Sequence, residues 1–343
     1  MTAAAHVPAT LSLDLDDVWA YMRARGASSW EQAPTCLPRA VERLVPVFEA
    51  EGLTITVFVV GVDATRAGVR EALREFAAAG HEIACHSWRH RGDLATLPAA
   101  EVAKDLQRAC EALTAVTGDR PLGFRCPSFG ASPALMDTLA EQGFLYDASV
   151  LPTMLGPALR AYHQLSLRRA GGASTAGGVD LFGPPGAARL PLTPFRWRTA
   201  AGPLLELPVT TMPLLRLPMH GTYIQTIGAI STRAAAGYLA AALSLCRLRA
   251  VSPSFVLHPT DVLDAEDAPL LSYFPGMRRP WREKVHQMRR ALRALTADFS
   301  VRPLRDAAEA LADVRLPHRT PPGASRRTAD RPPATVAPSR ERP

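Results

Sequence analysis

The stretch TLSLDLDD, from Thr10 to Asp17, starts as an apolar run and stops abruptly in acids. It reads as a buried strand that carries Asp14, Asp16 and Asp17 to its C-terminal end. Outward from it, period-two and period-3.6 patterns alternate. CLPRAVERLVPVFEAEG (36–52) has apolar residues at three- and four-residue spacing and a glycine stop, which predicts a helix. LTITVFVVG (53–61) is continuous and β-branched, as in a strand covered on both faces. REALREFAAAG (70–80), AAEVAKDLQRACEALTAVTG (99–118) and SPALMDTLAEQG (132–143) predict helices, the last opened by Ser132 and Pro133. HEIACHS (81–87), PLGFRCPS (121–128) and FLYDAS (144–149) predict strands between them. Such alternation signals an α/β fold, a parallel sheet wrapped by helices. After residue 203 come LLELPVTTMPLL (204–215), a helix at 234–249, the strand SPSFVLHPTD (252–261) and a helix at 280–298.

Composition fits one large domain. The 343 residues are 47% hydrophobic and 6% aromatic, enough aliphatic material for a core. The net charge of +7 is concentrated at the end, where His318 to Pro343 holds six Arg against one Asp and one Glu. That segment is also proline-rich and nearly free of large apolar residues, so 317–343 is expected to be a disordered basic tail behind a domain spanning 1–316. The remaining charge is ordinary, and no nucleic-acid partner is expected. Five cysteines without CxxC spacing predict buried free thiols rather than disulfides or a zinc-thiolate site. The first residues lack the charged and apolar regions of a signal peptide, and no run is long enough to span a membrane. A cytoplasmic location is the expectation. The Gly/Pro-rich stretch 156–203 and the segment 210–230 are expected to form an insertion shaping the substrate site.

The polar residues fall at the ends of the predicted strands, in LSLDLDD, HEIACHSWRH, GFRCPS and FVLHPTD. In a barrel of parallel strands those ends converge. His86 and His90 lie four residues apart, and a helical turn from Ser87 would put both imidazoles on one face for one ion. Asp14, two residues before Asp16, shares its side by strand alternation, in either a supporting or a purely structural role.

The motifs LDLDD (13–17), HSWRH (86–90), FRCPS (124–128) and FVLHP (255–259) resemble, in order, those of the polysaccharide deacetylases, the NodB-homology group of family-4 carbohydrate esterases. The resemblance runs from about Leu11 to Phe299. It implies a distorted (β/α)7 barrel, one divalent ion, commonly Zn2+, and hydrolysis of an N-acetyl group on an amino sugar. Matched by position, Asp17, His86 and His90 resemble the metal ligands and Asp16 the general base. Arg125 resembles the arginine that positions the base, and His258 the acid that protonates the leaving amine. An amide needs such an acid, because an amine anion departs poorly.

The first motif usually ends in Asp-Asp-Gly, but Val18 and Trp19 follow Asp17 here. Ser128 stands where the third motif usually has Tyr. Both departures point to a substrate other than plain chitin or peptidoglycan. Trp88, Ser128 and Asp147 are candidate substrate contacts: Trp88 as a sugar-stacking wall or rim packing, Asp147 as a partner of His258 or a turn cap. His220 reads as a loop or partner contact. The apolar runs VTTMPLLRLPM (209–219) and TYIQTIGAI (222–230) either pack into the barrel or approach a membrane or lipid-linked substrate, which would place the chain peripherally at the inner membrane face. A deformylase or other amidase using the same residues is the enzymatic alternative, and a non-catalytic carbohydrate-binding relative is the other.

Overall fold

The computed structural model describes residues 8–157 and 186–323. Its sheet begins at the stretch that opens the chain. Strand β1 (Ala9–Leu15) pairs in parallel with β2 (Thr56–Val59), which pairs with β3 (Glu82–Cys85), β4 (Gly123–Phe124) and β5 (Tyr146–Asp147) in turn. A hairpin of β6 (Phe195–Trp197) and β7 (Leu204–Glu206) joins next, with β7 parallel to β5. On the other side, β8 (Ser254–Leu257) pairs with β1. The two edges then meet: Thr210 N donates to Ser254 O at 3.1 Å, and Ser254 N donates to Thr210 Oγ1 at 2.8 Å. The ring β1-β2-β3-β4-β5-β7-β8 therefore closes as a (β/α)7 barrel. At the seam a threonine hydroxyl stands where a backbone carbonyl would accept.

Strand alternation sorts the side chains. On β1, Leu11, Leu13 and Leu15 join the core beneath the helices, while Thr10, Ser12 and Asp14 turn into the barrel. The helices expected from the pattern are present at Leu37–Ala50, Ala67–Ala78, Ala99–Thr117, Pro133–Glu141, Thr232–Leu248 and Trp281–Asp298. Ser132 caps its helix by accepting from Leu135 N. Gly118, at φ 87°, ends the helix before it, a conformation that costs other residues.

The barrel floor is closed by the helix Leu304–Ala310. Its Leu304, Ala307 and Ala308 pack against Phe58, Ala84, Tyr146 and Leu205. Barrel groups satisfy its first amides, with Leu304 N donating to Thr56 Oγ1 (2.7 Å) and Arg305 N to Glu82 Oε2 (2.9 Å). With this end covered, the C-terminal ends of the strands are the open face.

Two features depart from the sequence reading. Part of the 156–203 insertion, residues 158–185, lies outside the described residues, but 195–197 and 204–206 form the added hairpin. His318–Arg319, in the segment expected to be a tail, pairs with β6; residues 324–343 lie outside the described residues. All five cysteines are free and buried. Among the described residues no helix is long and apolar enough to cross a membrane.

Candidate metal centre and active site

At the open end, the line of residues facing inward from β1 continues through Asp14 to Asp16. Asp16 Oδ1 lies 3.5 Å from His86 Nε2 and 3.3 Å from His90 Nε2. These are the described His, Cys, Asp and Glu residues whose ligand atoms cluster closely enough to hold a metal ion. The spacing suits one: ligands about 2.1 Å from a tetrahedral ion stand about 3.4 Å from each other. His86 Nδ1 is 2.7 Å from the carbonyl of Arg125, which can only accept, so the proton sits on Nδ1 and Nε2 keeps its lone pair for a ligand bond. Asp16 Oδ1 is buried and has no hydrogen-bond donor. The three groups fit a divalent ion with nitrogen and oxygen preference, and leave room for further ligands.

Electrostatics without an ion tell the same story. Burial opposes ionisation of Asp16, but His90 and then His86 hold its carboxyl below the usual range. Burial also opposes charging of His90, yet Asp16 wins and raises it, whereas burial lowers His86. A carboxylate between two imidazoles is a cation site by charge as well as by geometry.

The two histidines do not share a helical turn. Ser87 and His90 both adopt positive φ, at 66° and 46°, so the loop after β3 doubles back and brings the rings to 5.0 Å between centroids. The four-residue spacing works here through a strained loop.

Asp17 corrects the expectation most clearly. It does not face the histidines. As N-cap of the helix Val18–Ala24 it accepts from Val18 N (2.8 Å) and Cys36 N (2.9 Å), and its other oxygen pairs with Arg66 at 2.8 Å. The reason is parity: residues two apart on a strand share a side, so Asp14 and Asp16 point together and Asp17 turns away. Asp16 thus takes the place beside the histidines that the motif match gave to Asp17.

Arg125 likewise pairs with Asp14 rather than Asp16. Its Nη1 donates to Asp14 Oδ1 (2.5 Å) and Ser12 Oγ (2.8 Å), and its Nε donates to Ala148 O (3.0 Å). The remaining oxygen, Asp14 Oδ2, lies 3.8 Å from His258 Nε2. Asp14, Arg125 and His258 therefore line one side of the cluster formed by Asp16, His86 and His90.

The other candidates separate. Trp88 is buried, stacked under Arg108 at 4.2 Å and packed close against Gly61, the packing alternative of the two readings. Asp147 is fully buried, bonded by Ser149 Oγ and set beside Glu206, away from His258. Ser128 stays at the open end, on a turn where it and Phe129 both have φ 60°. His220, read as a loop contact, is buried as the N-cap of the helix Gly221–Gly228, with its ring 5.9 Å from that of His258. The nearby Thr222 hydroxyl, 3.2 Å from His258 Nδ1, carried no signal that a sequence reading could use.

Behind Asp17, Asp63 accepts from Trp19 Nε1 at 2.8 Å, and burial together with the Asp17 charge pushes its carboxyl up to about 7. With its pKa raised in the fold, Asp63 binds protons more tightly folded than unfolded. Its stabilising contribution is complete below the unfolded value near 3.8 and is lost as pH rises through about 7. An Asp63→Asn variant keeps the bond to Trp19 and never ionises. Urea unfolding should therefore show its advantage over wild type growing between pH 4 and 7 and then levelling; an advantage constant with pH would contradict the shift.

Residues 16–146 match the family model described as polysaccharide deacetylase. Over that stretch the chain is similar to the polysaccharide deacetylase family. A chitin deacetylase from Pestalotiopsis sp is 37% identical over 67 residues, 20% of this chain and 22% of that protein, so the chain spans about a fifth of that relative's length. Among solved structures, a Mycobacterium smegmatis protein described as a polysaccharide deacetylase superposes with TM-score 0.58 at 22% identity, over 91% of this chain and 94% of the other. An allantoinase superposes with TM-score 0.55 at 17% identity, over 89% and 90%. At these identities the two structures speak to the fold. The polysaccharide deacetylase match begins at Asp16, just after β1, and covers the histidine loop and β4, while Asp14, Thr222 and His258 lie outside it.

Proposed function

We propose that this chain is a member of the polysaccharide deacetylase family and a metal-dependent hydrolase that removes an N-acetyl group from an amino sugar. The observation that carries the reading is the meeting of Asp16, His86 and His90 beside Asp14, Arg125 and His258. A divalent ion, with Zn2+ the first choice for two imidazoles and one carboxylate, would supply Lewis acidity toward the amide carbonyl and acidify water.

The chain's own groups divide the remaining work. Arg125 fixes one oxygen of Asp14, which leaves Oδ2 free to accept the proton of the attacking water. Asp14 thereby takes the base role that the motif match gave to Asp16, because Asp16 is committed to the histidines. His258, across from Asp14 Oδ2, donates to the nitrogen as the C–N bond breaks. Acid and base stand on one side of the ion site, where a single amide can reach both.

The substrate class rests on the family and on its chitin deacetylase relative. Val209, Met212, Met219 and Ile224 of the 209–219 and 222–230 runs are buried, while Ile230 is exposed. Leu214 and Leu215 are exposed, as is Met154 on the segment that binds Arg216 O. A lipid-linked amino sugar would meet these residues, and a soluble glycoside would not need them. Coupled detection of acetate from N-acetylglucosamine oligomers, N-acetylated glycosides and lipid-linked N-acetyl sugars tests the reaction. Acetate release that depends on added Zn2+ is the expected result, and formate release instead would move the reading to a deformylase on the same site.

A further inference from the structure

The helix Gly221–Gly228 brings a hydroxyl to the back of His258. Thr222 Oγ1 lies 3.2 Å from His258 Nδ1, the ring nitrogen that faces away from Asp14. Asp261 holds the backbone of the histidine. It is 1% exposed, accepts from the backbone N–H of His258 at 2.9 Å, and has its other oxygen, Oδ1, without a donor in ordinary hydrogen-bond range. Burial pushes the Asp261 carboxyl up, while His258, Lys284 and the Thr222 hydroxyl all favour its charged form.

The approach is built into the backbone. A Cβ on Gly221 would stand 2.2 Å from Asp261 Oδ2, so a residue without a side chain is needed for the helix to lie this close. The arrangement is then locked. Gln225 Nε2 donates to Asp261 O (3.2 Å) and Lys284 O (2.8 Å), and the buried Lys284 ammonium holds the carbonyls of Thr260 and Leu263. Helix and histidine loop are thus tied together by groups that do not reach the substrate side.

We propose that Thr222 is a positioning residue for His258: its hydroxyl accepts from Nδ1–H. The consequence concerns the tautomer. A histidine that gives its proton from Nε2 to a leaving amine is left neutral with the proton on Nδ1. Thr222 stabilises that product form and keeps Nε2 aimed at Asp14's side of the site. The inference rests on the deacetylase reading for its catalytic consequence but not for the tautomer itself.

The isosteric Thr222→Val removes the hydroxyl and little volume, and Thr222→Ser restores the hydroxyl. 15N NMR of the full-length protein labelled at histidine, with the His258 signal assigned through His258→Gln, reports which nitrogen carries the proton at a pH where the ring is neutral. The expected result is an Nδ1–H tautomer in wild type and Thr222→Ser, and a mixture in Thr222→Val. In acetate release, kcat should fall about tenfold in Thr222→Val with KM unchanged, and return in Thr222→Ser. An unchanged tautomer and kcat in Thr222→Val would overturn the proposal, as would Thr222→Ser that folds but behaves like Thr222→Val. A tautomer shift in a protein that releases no acetate from any N-acetyl sugar would uphold the role of Thr222 and defeat the deacetylase reading.

Discussion

Asp14→Asn should lower the kcat for acetate release by about a thousandfold while the protein still holds its ion. The amide is isosteric with the carboxylate but cannot accept a proton from water, so the loss falls on chemistry and leaves KM nearly unchanged. The substitution also breaks the buried pair with Arg125, whose guanidinium is fully enclosed beneath Asp14 and over the Phe58 ring. Leaving that charge without its partner costs about 3–5 kcal/mol. A lowered melting temperature is therefore expected together with the kinetic loss, and assays belong well below it. Metal retained with activity lost identifies Asp14 as the base. Activity retained would return the role to Asp16 or to a water-borne base.

His258→Ala carries the second large effect. Carbon–nitrogen cleavage stalls unless the amine is protonated as it leaves, so kcat should drop by about 10²–10⁴. The loss should depend on the leaving group: an ester analogue, whose alkoxide leaves more readily, should be hydrolysed with a smaller deficit than the amide. Equal deficits on amide and ester would show that His258 serves binding or folding. The histidine lies at the end of β8 and is partly exposed, so truncation leaves the barrel's apolar layers intact.

Much of this architecture is legible in TLSLDLDD and the strand ends after it, because continuous apolar runs between glycine-stopped helices have few other solutions. The site is legible in its parts, while its register differs between the motif match and the structure. Matching Asp16-Asp17 to an adjacent acidic pair set aside the alternation that the stretch itself displays, in which Ser12, Asp14 and Asp16 share one side. The histidine loop was less accessible: positive φ at Ser87 and His90 is a tertiary result, and the four-residue spacing invites a helical turn that does not form. Trp88 shows the same limit, since its close packing against Gly61 exists only in the fold. Thr222 sits 36 residues from His258 in a run that reads as plain apolar helix, so the contact exists only once the barrel has closed.

The most direct test of the central claim is the bound-metal content of purified wild type, Asp16→Ala and Asp17→Ala after reconstitution with Zn2+. Grouping Asp16 with His86 and His90 predicts one ion per chain in wild type, loss of that ion in Asp16→Ala, and an ion retained in a less stable Asp17→Ala, because Asp17 caps a helix and pairs with Arg66. Metal kept by Asp16→Ala and lost by a folded Asp17→Ala, or no metal in wild type, would contradict it.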